Sequence, residues 1–410
     1  MKAGIINIGD EILIGQITNT NSSFIASQLN TINIPTERII VVGDKKESIL
    51  QAFEEMLSYY DIVFVTGGLG TTNDDITKDC ICQYFNKKLT ENKETLAYLR
   101  QWMQNRNMPL TESIRSQALL PETCEVIENN YGLAPGMWME ENGKILISTP
   151  GVPQELESMM PLILERLQMR YHQNQCIIHK HIQTYGIAEA MLSDKLIDYE
   201  KQLPQNIKLA YLPKIGYTSL RLTGYGSSVD LLEKEMQQQF SLLSNIIEDY
   251  IFNCEDKSLP QLIADKLNAN NKTLATAESC TGGYIAHLIT SLAGSSAYFN
   301  GGVVVYSNEM KNKLLHVQTQ TLESYGAVSR ETVEEMAKNT LSICQTDYSI
   351  AVSGIAGPSG GSQEKPVGTV WIAVANKNHV NSQCFSFGNG RERVIRQAAI
   401  RGLLMLYMFM

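Results

Sequence analysis

Short β-branched runs ending in glycine or a polar residue alternate with helical periodicities through the first part of the chain. GIINIG, RIIVVG, DIVFVTGG and KILISTPG read as strands. Such alternation predicts a mostly parallel sheet covered by helices, with chemistry at the C-terminal ends of the strands. The pattern changes after residue 168. IIHKHIQTYG, GIAEAMLSDKLIDYE, IKLAYLP, YTSLRLTGYG and VDLLEKEMQQQFSLLSNII predict β-α-β-β-α, a small α+β module without a glycine-rich phosphate loop. The α/β alternation then returns, and NCEDKSLP marks the second boundary. The expected fold is a multi-domain α/β protein divided at 1–168, 169–253 and 254–410.

A chain of 410 residues is too long for one core, in keeping with that division. Its hydrophobic fraction of 43% and charged fraction of 19% are those of a globular protein. A net charge of -9, with no run of lysine and arginine, argues against a nucleic-acid partner. The start, MKAGIINIGDEILIG, lacks the charged and long apolar regions of a signal peptide. The most apolar stretch, GLLMLYMFM, is too short to cross a bilayer, so no membrane partner is expected. Eight cysteines include no CxxC pair, and Cys80 and Cys82 form only a CxC. Reduced thiols and a cytoplasmic location are therefore expected.

The most reactive stretch is ATAESCTGG, which places Ser279, Cys280 and Thr281 between a strand and the helix YIAHLITSL. Free N–H groups and the helix dipole suit that place to an oxyanion or a phosphate. Gly282 and Gly283 allow close approach to the backbone. Read alone, the stretch fits equally a helix capped by Ser279 or Thr281, with Cys280 as filler. In VVVYSNEMKNKLL, the valines and Tyr306 read as a strand, and Ser307 or Asn308 caps a helix. Lys311 falls in its first turn, where positive charge is disfavoured and a neutral amine, a competent base, is promoted. Taken by itself the segment reads more readily as one carrying a solvated surface lysine. AVSGIAGPSGG is a strand and an open loop suited to an anionic or amide-bearing ligand. GNGRERVIRQAA sets Arg391, Arg393 and Arg396 at a helix start, where one could clamp a phosphate, although a charged helix face is the default reading.

ESCTGG, YSNEMK, GAVS, SGIAGPSGG and KPVGTV, in this order, resemble the C-terminal domain of the CinA (competence-damage inducible) family. The resemblance implies a nicotinamide mononucleotide deamidase that needs no cofactor. It implies catalytic roles for Ser279, Tyr306 and Lys311. It further implies substrate contacts from Cys280, Thr281, Gly282, Gly283, Ser353, Gly354 and Arg391. Ser353 stands where the family has threonine, which keeps the hydroxyl. Among the three nucleophiles, Cys280 is intrinsically the strongest. His287, however, lies seven residues on along the helix, whereas Lys311 and Tyr306 suit a serine. Ser279 is the expected nucleophile, with backbone N–H groups of CTGG holding the oxyanion and Lys311 acting directly or through Tyr306.

GDEILIGQITNTNSSFIASQL, TGGLGTTNDDITKD, NNYGLAPGM and TPGVPQE are similar to the N-terminal CinA domain, which shares the molybdopterin-binding fold. VTGGLGTTNDD suits a phosphate cradle. Asp10, Glu11, Asp74, Asp75 and Asp79 supply oxygen ligands for a hard cation. The resemblance implies ADP-ribose pyrophosphatase activity with a divalent metal of the Mg or Co type, and potassium as a further ion. The implied site comprises Asp10, Glu11, Asn19, Asn21, Gly67, Gly68, Asp74, Asp75 and Glu155, with Asp74 and Asp75 on the metal. Thr71 departs from the proline usual in the family, so the loop is less rigid. The middle module resembles the family's KH-type domain. Its GIAEA carries Glu189 where a nucleic-acid-binding GxxG loop would have its second glycine, which points to a structural or dimer-forming role. The competing reading is a nucleotide- or pterin-binding scaffold, or a competence accessory protein, with no N-terminal catalysis.

Overall fold

A computed structural model describes residues 1–72, 74–170 and 176–410. They fall into two compact units, Met1–Cys176 and Ile177–Met410.

The first unit is built on a sheet of six strands. β1 (Ala3–Ile8), β2 (Thr36–Val42) and β3 (Ile62–Thr66) are followed by the short pair β4 (Leu89–Glu91) and β5 (Leu119–Pro121). β6 (Glu125–Ile127), β7 (Gly136–Glu141) and β8 (Lys144–Thr149) complete the set. The sheet order is β2-β1-β3-β8-β7-β6, while β4 and β5 pair separately. The four strands legible in the sequence form its parallel part. β7 and β6 add an antiparallel edge that the strand pattern does not predict. Successive residues bury on opposite faces: Ile6, Val63 and Val65 in one core, Ile5, Phe64 and Ile147 in the other. A parallel sheet covered on both sides requires such uninterrupted apolar strands.

The second unit contains two sheets. β9 (Cys176–Thr184), the helix Glu189–Lys201, β10 (Ile207–Lys214), β11 (Tyr217–Gly226) and the helix Val229–Ile246 reproduce the β-α-β-β-α pattern. β12 (Ile251–Asn253) pairs antiparallel with β9 and closes the order β10-β11-β9-β12. The other sheet holds β13 (Leu274–Glu278), β14 (Phe299–Val304), β15 (Tyr348–Gly354), β16 (Thr369–Asn376) and β17 (Val380–Ser386), in the order β14-β13-β15-β16-β17. β13 runs parallel to both neighbours, and β16 and β17 are antiparallel. β14 begins earlier than the valine run suggested and ends before Tyr306, which sits in the loop beyond it. GLLMLYMFM ends the helix Arg391–Phe409, and its Leu403, Leu404 and Leu406 are buried in the core against β13, β15 and β16. Among the described residues no helix is long and apolar enough to cross a membrane. The hairpin turn at Gly216 rests on that helix: a Cβ there would meet Ile400 at 3.1 Å.

Candidate active site

β13 ends at Glu278 and delivers Ser279 beside the end of β15, where the Ser279 N–H donates to the Val352 carbonyl at 3.0 Å. The following turn is left-handed at Gly282 (φ 62°) and Gly283 (φ 97°), a geometry that favours glycine. A Cβ on Gly282 would meet nothing within 4 Å, so the backbone there is open to a ligand. The helix Tyr284–Thr290 then begins with Gly283 as its cap, and neither Ser279 nor Thr281 caps it. Buried Glu278 does so instead. Its carboxylate accepts from the N–H groups of Gly283 (3.1 Å), Ile285 (3.0 Å) and Ala286 (2.8 Å).

That arrangement changes which donors remain for an oxyanion. The Gly283 N–H is held by Glu278, and the Gly282 N–H by the Ser279 carbonyl at 3.1 Å. Of the CTGG amides, those of Cys280 and Thr281 are left without a carbonyl or carboxylate acceptor among the described residues. The Thr281 hydroxyl is also buried without a partner.

Lys311 is 1% exposed, which excludes a solvated lysine. Ser307 caps its helix, Asn308–Leu315, by accepting from the Met310 N–H. From the first turn the amine reaches back to donate to Ser279 Oγ at 3.0 Å and to the Val305 carbonyl at 2.9 Å. Among the described residues no carboxylate lies within ion-pair distance of it, and burial holds its pKa below the ordinary lysine value. Burial without a carboxylate partner favours the neutral amine over the ammonium. Cys280 beside it is buried, and its thiol is pushed up to about 12 by burial.

Tyr306 is not part of this pair. It is 59% exposed, and its hydroxyl accepts from Arg391 Nη2 at 2.7 Å. Arg391 opens the C-terminal helix and also donates to the Gly357 carbonyl in the glycine-rich loop at 3.0 Å. Arg396 pairs with Glu392 at 2.7 Å, and it is Arg391, not Arg393 or Arg396, that bonds Tyr306 and the Gly357 carbonyl. Ser353 is buried at the end of β15 and donates to the Ala327 carbonyl at 2.7 Å, tying down the GAVS loop. Gly354 is required by packing, because a Cβ would strike Val370 and the Thr369 carbonyl. Ser279 and Lys311 are thus brought together, Tyr306 and Arg391 form a second pair, and Ser353 and Gly354 are held by packing and hydrogen bonding at the end of β15. Glu278 was missed by the sequence reading. The signal for it was an acidic residue at a strand end just before a glycine turn.

The first unit carries a cleft of about 690 Å³ at the C-terminal ends of β1, β3 and β8. Glu11, Asn19, Asn21, Gly67, Gly68, Asp74, Asp75 and Glu155 line it, as does Thr71, whereas Asp10 and Asp79 do not. Gly67 (φ 107°) has no room for a side chain, since a Cβ would strike the Ile8 carbonyl. Asn21 braces the floor, donating to Thr66 Oγ1 at 3.0 Å and the Gly151 carbonyl at 2.8 Å. Asn19 accepts from the Ser22 N–H at 3.1 Å. Glu155 accepts from Asn129 Nδ2 at 2.7 Å, and Asn129 in turn holds the N–H groups of Tyr131 and Gly132.

The expected metal pair is only partly available. Asp75 closes its own loop, accepting from the Gly70 N–H at 2.7 Å, the Thr72 N–H at 2.9 Å and the Thr72 hydroxyl. Among the described residues no three His, Cys, Asp or Glu side chains gather into a metal cage. Glu11, Asp74 and the unforeseen Asp44 do line the cleft. Burial first, and then the charges of Asp10, Glu11 and Asp74, push the Asp44 carboxyl upward, despite a hydrogen bond from the Asp10 N–H. Such a donor set fits a hard cation that arrives on a diphosphate and needs only one or two protein carboxylates. Asp44 follows RIIVVG, so the strand-end rule that selected Asp10 would also have found it.

Residues 256–410 match the family described as "CinA C-terminal domain", residues 179–253 "Damage-inducible protein CinA KH domain", and residues 4–169 "Probable molybdopterin binding domain". A CinA-like protein of Cytophaga hutchinsonii is 45% identical over 399 residues, 97% of this chain and 95% of its own. A CinA-like protein of Flavobacterium psychrophilum is 42% identical over 410 residues, 99% of this chain and 98% of its own. Among solved structures, a competence damage-inducible protein A of Klebsiella pneumoniae is 37% identical over 37% of this chain and 93% of its own, with a TM-score of 0.36.

Proposed function

The chain belongs to the CinA family, and from that premise we propose that its C-terminal domain hydrolyses the carboxamide of nicotinamide mononucleotide. The observation that carries this reading is the buried Lys311 amine, with Nζ 3.0 Å from Ser279 Oγ and no carboxylate at ion-pair distance among the described residues. Neutral Lys311 takes the proton of Ser279 as Oγ bonds to the carboxamide carbon. The amide N–H groups of Cys280 and Thr281 hold the oxygen as it becomes negative. A well-placed donor of this kind contributes about 3–4 kcal/mol. Collapse of the tetrahedral intermediate breaks the carbon–nitrogen bond, and the Lys311 ammonium protonates the leaving nitrogen to give ammonia. Water, deprotonated by the same amine, then cleaves the ester to nicotinate mononucleotide and restores Ser279. The pyridinium ring favours each attack by drawing electrons from the carbonyl carbon. The purified protein should release ammonia from nicotinamide mononucleotide with equimolar nicotinate mononucleotide. If no ammonia appears, the reading fails.

Arg391 and Tyr306 take the phosphate end. A guanidinium already held by Tyr306 and the Gly357 carbonyl is oriented for an anion before substrate arrives. Arg391→Ala should therefore raise KM for the nucleotide about tenfold or more while changing kcat less. Tyr306→Phe should do the same more weakly. A fall in kcat alone for Tyr306→Phe would return the tyrosine to the proton path.

A second reading rests on the cleft of the first unit, where the strand-end glycines and the facing carboxylates Glu11, Asp44 and Asp74 suit a metal-bound diphosphate. ADP-ribose, hydrolysed by one water at its diphosphate to AMP and ribose 5-phosphate, is the proposed substrate. Glu11 and Asp74 would hold the cation, which would neutralise charge on the diphosphate. Chelation should stop AMP release from ADP-ribose and leave ammonia release unchanged, because Lys311 supplies the base for the second reaction. Equal inhibition of both activities would count against this separation.

A further inference from the structure

The second unit has another cleft, of about 470 Å³, that neither reaction uses. Its walls are Phe385 in β17, Phe387 and Gly388 just after that strand, the Gly216 turn of the β10–β11 hairpin, and Arg393, Gln397 and Arg401. The last three are spaced four residues apart and so share one face of the C-terminal helix. Phe385 and Phe387 lie with ring centroids 5.6 Å apart and planes 11° from parallel. The Arg401 guanidinium sits over the Tyr185 ring at 4.6 Å and the Phe385 ring at 5.0 Å, and its Nε is buried without an acceptor. Arg393 is exposed and, among the described residues, has no ion pair or hydrogen bond. None of the residues lining the cleft is acidic.

Two uncompensated guanidiniums converging on a concave surface run against the charge of a chain carrying a net -9. A guanidinium stacked on aromatic rings keeps its edge free for a phosphate, and a buried N–H without an acceptor is costly until one arrives. The paired phenyl rings offer a flat face for a heteroaromatic base. The volume lies within the range of about 300–1,000 Å³ typical of small-molecule sites. We propose that this cleft is a binding site for a mononucleotide, with Arg393 and Arg401 on the phosphate and Phe385 and Phe387 beside the base. It is separate from the Ser279 site, since neither Ser279, Lys311, Tyr306 nor Arg391 lines it. A ligand resting on Gly388 would nevertheless touch the turn that ends at Arg391.

The test is hydrogen exchange of the full chain with AMP as the probe, followed on the segments 214–217 and 385–388. AMP should slow exchange in both segments. Adenosine, lacking the phosphate, should not, and ribose 5-phosphate should act only at concentrations about tenfold higher. The surface variant Arg393→Glu should abolish the AMP effect, and Arg401→Gln should weaken it about tenfold or more. Arg391→Ala, which disarms the neighbouring site, should leave it intact. Protection that survives Arg393→Glu, that disappears with Arg391→Ala, or that never appears at millimolar AMP would overturn the proposal. So would a shift in sedimentation with Arg393→Glu and no change in AMP protection, since that outcome would give the face to a second copy of the chain.

Discussion

Ser279→Ala is expected to lose ammonia release from nicotinamide mononucleotide by on the order of 10³-fold or more, while Cys280→Ala keeps most of it. The thiol is intrinsically the better nucleophile, so its environment has to account for the difference. Cys280 is buried and its thiol is pushed up to about 12 by that burial, leaving almost no thiolate at neutral pH. A histidine could change this, but His287 is exposed and stacked on Tyr284 at 6.0 Å. Ser279 Oγ has the Lys311 amine at 3.0 Å. The two variants also separate the roles in another way: iodoacetamide should leave the native enzyme active, because the thiol is both protonated and inaccessible. An active Ser279→Ala enzyme that iodoacetamide inactivates would transfer the chemistry to Cys280.

The parts of the site written in contiguous motifs were legible, and the parts made by long-range pairing were not. Strand ends announce themselves, because a β-branched run stopping at glycine or a polar residue is a local signal; β1, β2, β3 and β8 were all placed this way. The Ser307 cap and the position of Lys311 in the following first turn came from the same kind of information. Burial of Lys311 did not, since it depends on β13 and the Val305 carbonyl closing over the amine. Tyr306 illustrates the limit in the other direction. The family resemblance implies a catalytic role for it beside Lys311, yet its hydroxyl partner is Arg391, 85 residues away. Glu278 and Asp75 show a third case. Carboxylates beside glycine turns resemble ligands in sequence, but backbone N–H groups reach them first and they become caps.

Lys311→Arg should fail as thoroughly as removal of the side chain, although it preserves a positive charge. A base must shed its proton near neutral pH, and a lysine in water does so only at about 10.4. Burial lowers that value for Lys311, and among the described residues no carboxylate lies at ion-pair distance to restore it. Arginine cannot deprotonate in a protein, and its guanidinium would be forced into a space shaped for one amine. The sign of the pH dependence follows. Below the depressed pKa the amine is protonated and idle, so the rate should rise with pH through that value and level above it. Stability should follow the same direction. The unfolded chain binds the Lys311 proton up to its ordinary pKa, while the folded chain has already released it. Folding is therefore increasingly favoured as pH rises between the two values. In Lys311→Met both dependences should vanish together, the variant being inactive at every pH and its melting temperature less responsive to alkali. A Lys311→Arg enzyme with near-native turnover would show that charge alone suffices, and would move the search for the base to the phenol of Tyr306.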